Sequence, residues 1–70
     1  MHLQEITIHE LANFEIDNDN EIFSLEFEGT NYSGNNVEEL VLTLRNNGID
    51  ASNIEEEMEE IFEHILNNII

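Results

Sequence analysis

Only one side chain in this sequence, Arg45, is positively charged at neutral pH. It faces seventeen aspartates and glutamates, for a formal net charge of −16. An ordinary solvated surface intersperses both signs, which keeps a chain soluble without self-repulsion. Here nearly every carboxylate lacks a partner, and the repulsion among them opposes compaction. A fold therefore has to draw its stability from the apolar residues, 40% of a chain of 70. That is enough for one core in one domain spanning residues 1–70. A chain this short buries only about 60% of the surface its unfolded form exposes, so a deep catalytic cleft is not expected.

The clearest periodic signal lies in residues 21–28 (EIFSLEFE), where Phe23, Leu25 and Phe27 alternate with Ser24, Glu26 and Glu28. Period-two alternation predicts a half-buried strand. Residues 11–17 (LANFEID) precede it and are separated from it by DNDN, whose residues tolerate positive φ and bond their own backbone in turns. A hairpin pairing Ile16 with Phe23 sets Phe14 against Leu25 and Ala12 against Phe27, gathering one apolar face. A slip of one residue would put that face in water, so the pattern itself specifies the register. Residues 3–8 (LQEITI) read as another short strand, while HELANF reads either as strand or as a helical turn. Asn31-Tyr32-Ser33 adds a short strand after the turn at Gly29-Thr30.

Two helices follow. Asn36 with Glu39 three residues on has capping-box spacing, and Val37, Leu40, Val41 and Leu44 then recur at helical intervals up to a stop at Gly48. The second helix starts at Asp50 or Ser52. Ser52 with Glu55 fits a capping box, whereas Asp50 as cap lets Ile49 staple against Ile54. Ile54, Met58, Ile61, Phe62, Ile65 and Ile69 form its apolar stripe. The expected architecture is α+β: a small antiparallel hairpin or three-stranded sheet, followed by two antiparallel helices packed on one face.

The carboxylates fall on two surfaces. Glu55, Glu56, Glu57, Glu59, Glu60 and Glu63 lie on the second helix away from its stripe. Like charges at i,i+4, such as Glu55 with Glu59 or Glu56 with Glu60, destabilise a helix by a few tenths of a kcal/mol per pair. The early ones regain part of that from the helix dipole, which Glu63 is too distant to feel. A helix selected for solubility alone would carry Glu–Lys pairs. On the sheet, Glu15 and Asp17 share one strand face, and Glu26 and Glu28 share the next. The nine residues Glu15, Asp17, Glu26, Glu28, Glu55, Glu56, Glu59, Glu60 and Glu63 are the candidate partner-binding set. Their spacing, about 5–6 Å on the helix and about 6.8 Å on a strand, is of the order needed to present rows of negative charge like a nucleic-acid backbone.

Such a field refuses naked DNA or RNA and anionic membrane surfaces, since like charges repel. It points to a basic protein surface, with steered association that weakens as salt is added. In size, in its 17-to-1 acidic excess, and in the stretches FEIDNDNE, LEFE and NIEEEMEEIFE, the chain resembles the small acidic proteins that bacteriophages use against host defence nucleases, including anti-CRISPR proteins and other DNA mimics. The resemblance is one of class, without a shared fold or position-specific motif. It implies a non-enzymatic inhibitor that occupies the nucleic-acid or protospacer-motif site of a nuclease complex in the host cytoplasm. The alternatives are halophilic adaptation or simple solubility, and a protein–protein adaptor or antirepressor, monomeric or homodimeric, whose acid serves solubility.

Other chemistry is poorly served. Asp17, Asp19, Glu21 and Glu28 occupy positions 1, 3, 5 and 12 of a calcium-loop spacing, but Ile22 stands where that loop requires glycine. His64 with Glu60 and Glu63, or His2 and His9, could join a zinc site, though a surface histidine is the commoner case. There is no cysteine, no phosphate-cradling glycine loop and no nucleophile triad, so neither a cofactor nor an enzymatic activity is expected. The absence of cysteine and of any apolar run near 18 residues fits a cytoplasmic protein, as does a start without the basic-then-apolar form of a signal peptide. Phe14, Phe23, Phe27 and Phe62 read as core. Tyr32 is either a packing residue or an exposed anchor, and Arg45 pairs with a helix-face glutamate. Ile69 and Ile70 either close the core or form a homodimer contact.

Overall fold

The alternating segment becomes the central strand. The computed structural model describes residues 3–69, with side chains as far as Asn67; the expectations for His2, Ile70 and the Ile69 side chain lie outside that range. Strands β2 (Phe14–Asp17), β3 (Ile22–Phe27) and β4 (Thr30–Gly34) form an antiparallel sheet in the order β2-β3-β4, with β1 (Gln4–Glu5) elsewhere. Ile16 pairs with Phe23 and Phe14 with Leu25, the register the apolar pattern requires. Phe23, Leu25 and Phe27 are buried while Glu26 is exposed on the opposite face. Tyr32, opposite Leu25 on β4, is half-buried against the core, so it packs and is not a free anchor.

The two hairpin turns are built differently. In the first, Asp17 Oδ1 accepts the backbone N–H groups of Asp19 (3.1 Å) and Asn20 (3.2 Å), and Oδ2 accepts from Asn20 Nδ2 at 2.8 Å. One carboxylate thus organises the whole DNDN turn. In the second, Phe27 pairs with Thr30 across only two residues, Glu28 at φ 50° and Gly29 at φ 82°. Two positive φ values are what a two-residue type I′ turn demands. Glycine meets this freely, but for Glu28 the left-handed conformation costs about 1–2 kcal/mol. Glu28 is therefore a turn residue and does not share a strand face with Glu26.

Two further expectations change upstream of β2. Ile8–Asn13 form a 3-10 helix, so Ala12 does not face Phe27. Asn13 Nδ2 instead donates to the Glu26 carbonyl at 3.3 Å, where the next ladder pair would have stood. Residues 3–8 contribute only β1, and its partner is not the hairpin. It runs parallel to β5 (Ile49–Asp50), a two-residue strand just after the first helix. Gln4 N–H donates to the Gly48 carbonyl at 2.9 Å and Ile6 N–H to that of Asp50 at 3.0 Å. That pairing delivers Ile6, fully buried, into the core with Ile49.

The helices are α1 (Val37–Asn46) and α2 (Glu55–Ile69). Asn36 caps α1, its Oδ1 accepting Glu39 N–H at 2.8 Å, and Val37, Leu40 and Leu44 are buried as their spacing predicts. Beyond α1 the chain passes through Gly48 at φ 82°. The connection to α2 is β5 and a 3-10 turn (Ser52–Ile54) rather than a bare loop. Asp50 Oδ1 accepts both Ser52 N–H (3.0 Å) and Ser52 Oγ–H (2.6 Å), so Asp50 organises this entry and Ser52 is not the cap. Ile49, Ile54 and Met58 join Leu25, Leu40 and Leu44 in the core, and the Phe62 ring meets Phe23 edge-on with centroids 4.9 Å apart. The result is an α+β fold in which both helices contribute to the core on the inner face of β3.

One glycine sets how closely these layers approach. Gly34 is buried at the end of β4, and a Cβ there would lie 2.6 Å from the Leu40 backbone nitrogen and 2.9 Å from the Glu39 carbonyl carbon. Those atoms belong to the α1 backbone and cannot swing aside. Gly34→Ala is expected to destabilise the fold by about 1–3 kcal/mol, the usual effect of overpacking. Urea unfolding followed by circular dichroism would show it as a lowered midpoint, and an unchanged midpoint would mean that α1 can shift off the sheet at little cost.

Candidate acidic interaction surface

The sheet presents its outer face to solvent because every inward position of β3 is apolar. Glu15 and Glu26 are exposed there, lining one shallow depression with Asn13 and Asn31. Glu15 lies opposite Ser24, which makes Glu15 and Glu26 diagonal neighbours across the β2–β3 pair. Asp17 ends the same face, but its carboxylate is engaged in the turn. Glu28 stands apart at the far end of β3, where its Oε1 accepts from Gln4 Nε2 at 2.6 Å and ties β1 to the hairpin.

On α2, Glu56, Glu59, Glu60 and Glu63 are exposed, and Glu55 is half-buried. From Glu56 to Glu63 is seven residues of rise, so four charges occupy about 10.5 Å of helix axis. That is roughly one charge per 3.5 Å, close to the 3.4 Å of one strand of duplex DNA. Glu57 does not belong to this row. It is half-buried beside Leu11, Ile61 and Ile65, and its Oε2 is buried without a hydrogen-bond partner among the described residues. Since α2 feeds its stripe into the inner side of the sheet, the core separates the α2 row from the outer sheet face. The structure distributes eight of the nine candidates over two surfaces and leaves Glu28 outside both.

A third grouping joins elements distant in sequence. Phe23, Phe62 and Leu66 form an apolar floor at the open end of the sheet–helix seam, and Leu66 is 44% exposed. The groove holds about 350 Å³ and continues into a neighbouring depression over the same three residues. Asp17 and Glu21 border it from the first hairpin turn, Glu38 from α1, and Glu59 and Glu63 from α2. Sequence reading passes over Leu66. The available signal is its place four residues after Phe62, which widens the apolar stripe toward the acidic flank.

Titration is resolved at two aspartates. The Asn20 side-chain amide, followed by the Asn20 and Asp19 backbone N–H groups, holds Asp17 below the ordinary aspartate value. The Ser52 hydroxyl, then its N–H, lowers Asp50, and the Arg45 charge adds to this. Arg45 thus acts electrostatically on Asp50, whereas the sequence reading pairs it with a helix-face glutamate. Among the described residues no three of histidine, aspartate and glutamate gather in a way that could hold a metal ion. Glu28 lies the length of β3 from Asp17, so the calcium-loop spacing does not close on itself. No helix among the described residues is long and apolar enough to cross a membrane. Compared with known family models, curated proteins and solved structures, the chain matches none.

Two outcomes follow from these side chains. Glu57→Leu removes a carboxylate with an unpartnered buried oxygen and extends the apolar contact with Leu11 and Ile61, so it should raise stability by about 1 kcal/mol or more. A lowered urea midpoint would mean that Oε2 has a partner the fold depends on. For Asp50, a depressed folded-state pKa stabilises the fold above the unfolded value of about 3.9. That stability is lost as pH falls through the folded value. The difference in unfolding free energy between the wild type and Asp50→Ala should therefore be full at neutral pH and shrink in acid. A difference independent of pH would show that the charge plays no part.

Proposed function

We propose that this protein is a non-enzymatic inhibitor that mimics nucleic-acid charge and blocks the basic nucleic-acid-binding site of a nuclease or DNA-binding protein, as anti-CRISPR-like proteins do. The observation that carries the reading is the α2 row: four exposed glutamates at a linear density near that of one nucleic-acid strand, with no lysine in the chain to neutralise them. Like charges at this spacing weaken the helix that carries them. A structural role would be served equally well by glutamine, which keeps the helix and removes the repulsion. The exposed Glu15–Glu26 face, interleaved with asparagine and serine, offers a second surface of the same kind for a phosphate-binding groove.

A second reading, an adaptor or antirepressor that docks through apolar contacts, draws on Leu42, 55% exposed on α1. Salt separates the two, because exposed charge pairs are screened beyond about 8 Å at physiological ionic strength and apolar contacts are not. Partners captured from bacterial lysate, eluted in salt steps and identified by mass spectrometry, should be nucleic-acid-binding proteins that leave at moderate salt and compete with DNA. Replacing Glu56, Glu59, Glu60 and Glu63 by glutamine should reduce that capture at least tenfold while leaving the fold as stable or more so. Undiminished capture by the glutamine variant would remove α2 as the contact, and a salt-resistant partner without a basic groove would favour the adaptor.

A further inference from the structure

We infer that the groove over Phe23, Phe62 and Leu66 is a docking site for a lysine- or arginine-rich protein segment that inserts one large apolar side chain; this rests on the charge-mimic reading and names the kind of segment that reading requires. The floor is apolar and solvent-open, with Phe62 half-buried and Leu66 exposed on the flank of α2 that faces Phe23. Its volume of about 350 Å³ is at the small end of ligand clefts, which run from about 300 to 1,000 Å³, and suits a side chain or two. The rim decides what can bring that side chain in. Asp17 and Glu21 from the first hairpin turn, Glu38 from α1, and Glu59 and Glu63 from α2 supply negative charge from three sides, and none of the groove-lining residues is basic.

Charge complementarity selects among the possible occupants. A second copy of the chain would set this rim against an identical one in a two-fold interface, with −16 on each side. Like-charge juxtaposition of that kind costs several kcal/mol. An anionic lipid or a fatty acid meets the same repulsion. A basic segment is attracted by the rim, and its apolar anchor gains the burial that Leu66 lacks in the free protein. Anchors of this kind, in a pocket ringed by polar groups, carry most of the binding energy of protein interfaces.

The test uses two short lysine–glycine peptides of identical charge, one with a central phenylalanine and the other with serine in its place. Binding to the full chain is followed by NMR titration at low salt. The phenylalanine peptide should bind about tenfold or more tightly, the least that burying such a side chain yields. Its largest shifts should fall on Phe23, Phe62 and Leu66. Leu66→Glu sharpens the result, since the added charge would tighten binding driven by charge alone but should erase the difference between the peptides. Leu66→Gln should erase it too, without a change of charge. Equal affinities of the two peptides for the wild type would overturn the groove while leaving the charge reading intact. No binding of either peptide would overturn both. Sedimentation showing a dimer that Leu66→Glu dissociates would make a second copy the occupant and overturn the inference.

Discussion

Everything in this fold depends on a carboxylate having no cation to follow it inside. Burying an ionised group is tolerated when a partner charge and hydrogen bonds accompany it, and a chain with one arginine cannot supply partners for seventeen acids. The core is accordingly apolar throughout, and no polar or charged residue is buried among those described. Strict segregation follows at each level. On β3 the inward positions are Phe23, Leu25 and Phe27, and on α1 they are Val37, Leu40 and Leu44. The half-buried Glu57 marks the boundary of that rule. It sits where α2 turns from core to solvent, and its unpartnered oxygen is the local cost of keeping acid on that flank.

Since the core is small, close approach compensates for limited area. Gly34 lets the α1 backbone settle onto β4, and fully buried Leu40 and Leu44 join Leu25 in one core cluster. The β1–β5 pair then adds Ile6 and Ile49 to the core. Backbone hydrogen bonds from Gln4 to Gly48 and from Ile6 to Asp50 tie residues 4–6 to the α1–α2 connection. The Gln4–Glu28 bond holds that same segment to the strained β3–β4 turn. A chain without disulfides thus fastens residues 4–6 at two places, and carboxylates serve as hydrogen-bond acceptors at Asp17, Glu28 and Asp50.

Legibility in the sequence followed periodicity. The β2–β3 register is legible because apolar residues at period two (Phe14 and Ile16; Phe23, Leu25 and Phe27) admit one solution, and α1 because its cap and stripe agree. The β1–β5 pair could not be read: two residues carry no period, and a parallel partner more than forty positions away leaves no local trace. Glu28 is not legible as a turn residue, because its turn lacks the Asn-Gly or Asp-Gly signature and the sequence alternation runs on through it. Gly34 has no special φ and matters only through what lies above it, which is a tertiary fact. As for the candidate surface, the acids on α2 were legible as a row. Their separation from the sheet acids by the core, and the meeting of Asp17, Glu21, Glu38 and Glu59 around one groove, required the fold.

On the proposed function, the groove and the acidic rows serve different parts of one binding process. A field of this strength raises association rates over distance and sets the sign of an acceptable partner. Charge alone discriminates weakly among basic proteins, because many share grooves for phosphate, and screened contacts at exposed carboxylates release readily. Residence time in related complexes is governed mostly by dissociation, which depends on desolvated contacts at close range. The free protein offers such a contact where Leu66 and Phe62 stand open beside Phe23. It lies inside the acidic perimeter, so a basic partner of the proposed kind would arrive with its cationic flanks already in place. On the proposed function, carboxylates find the target and the apolar floor keeps it, which would explain why the distal turns of α2 leave apolar surface uncovered in so small a protein.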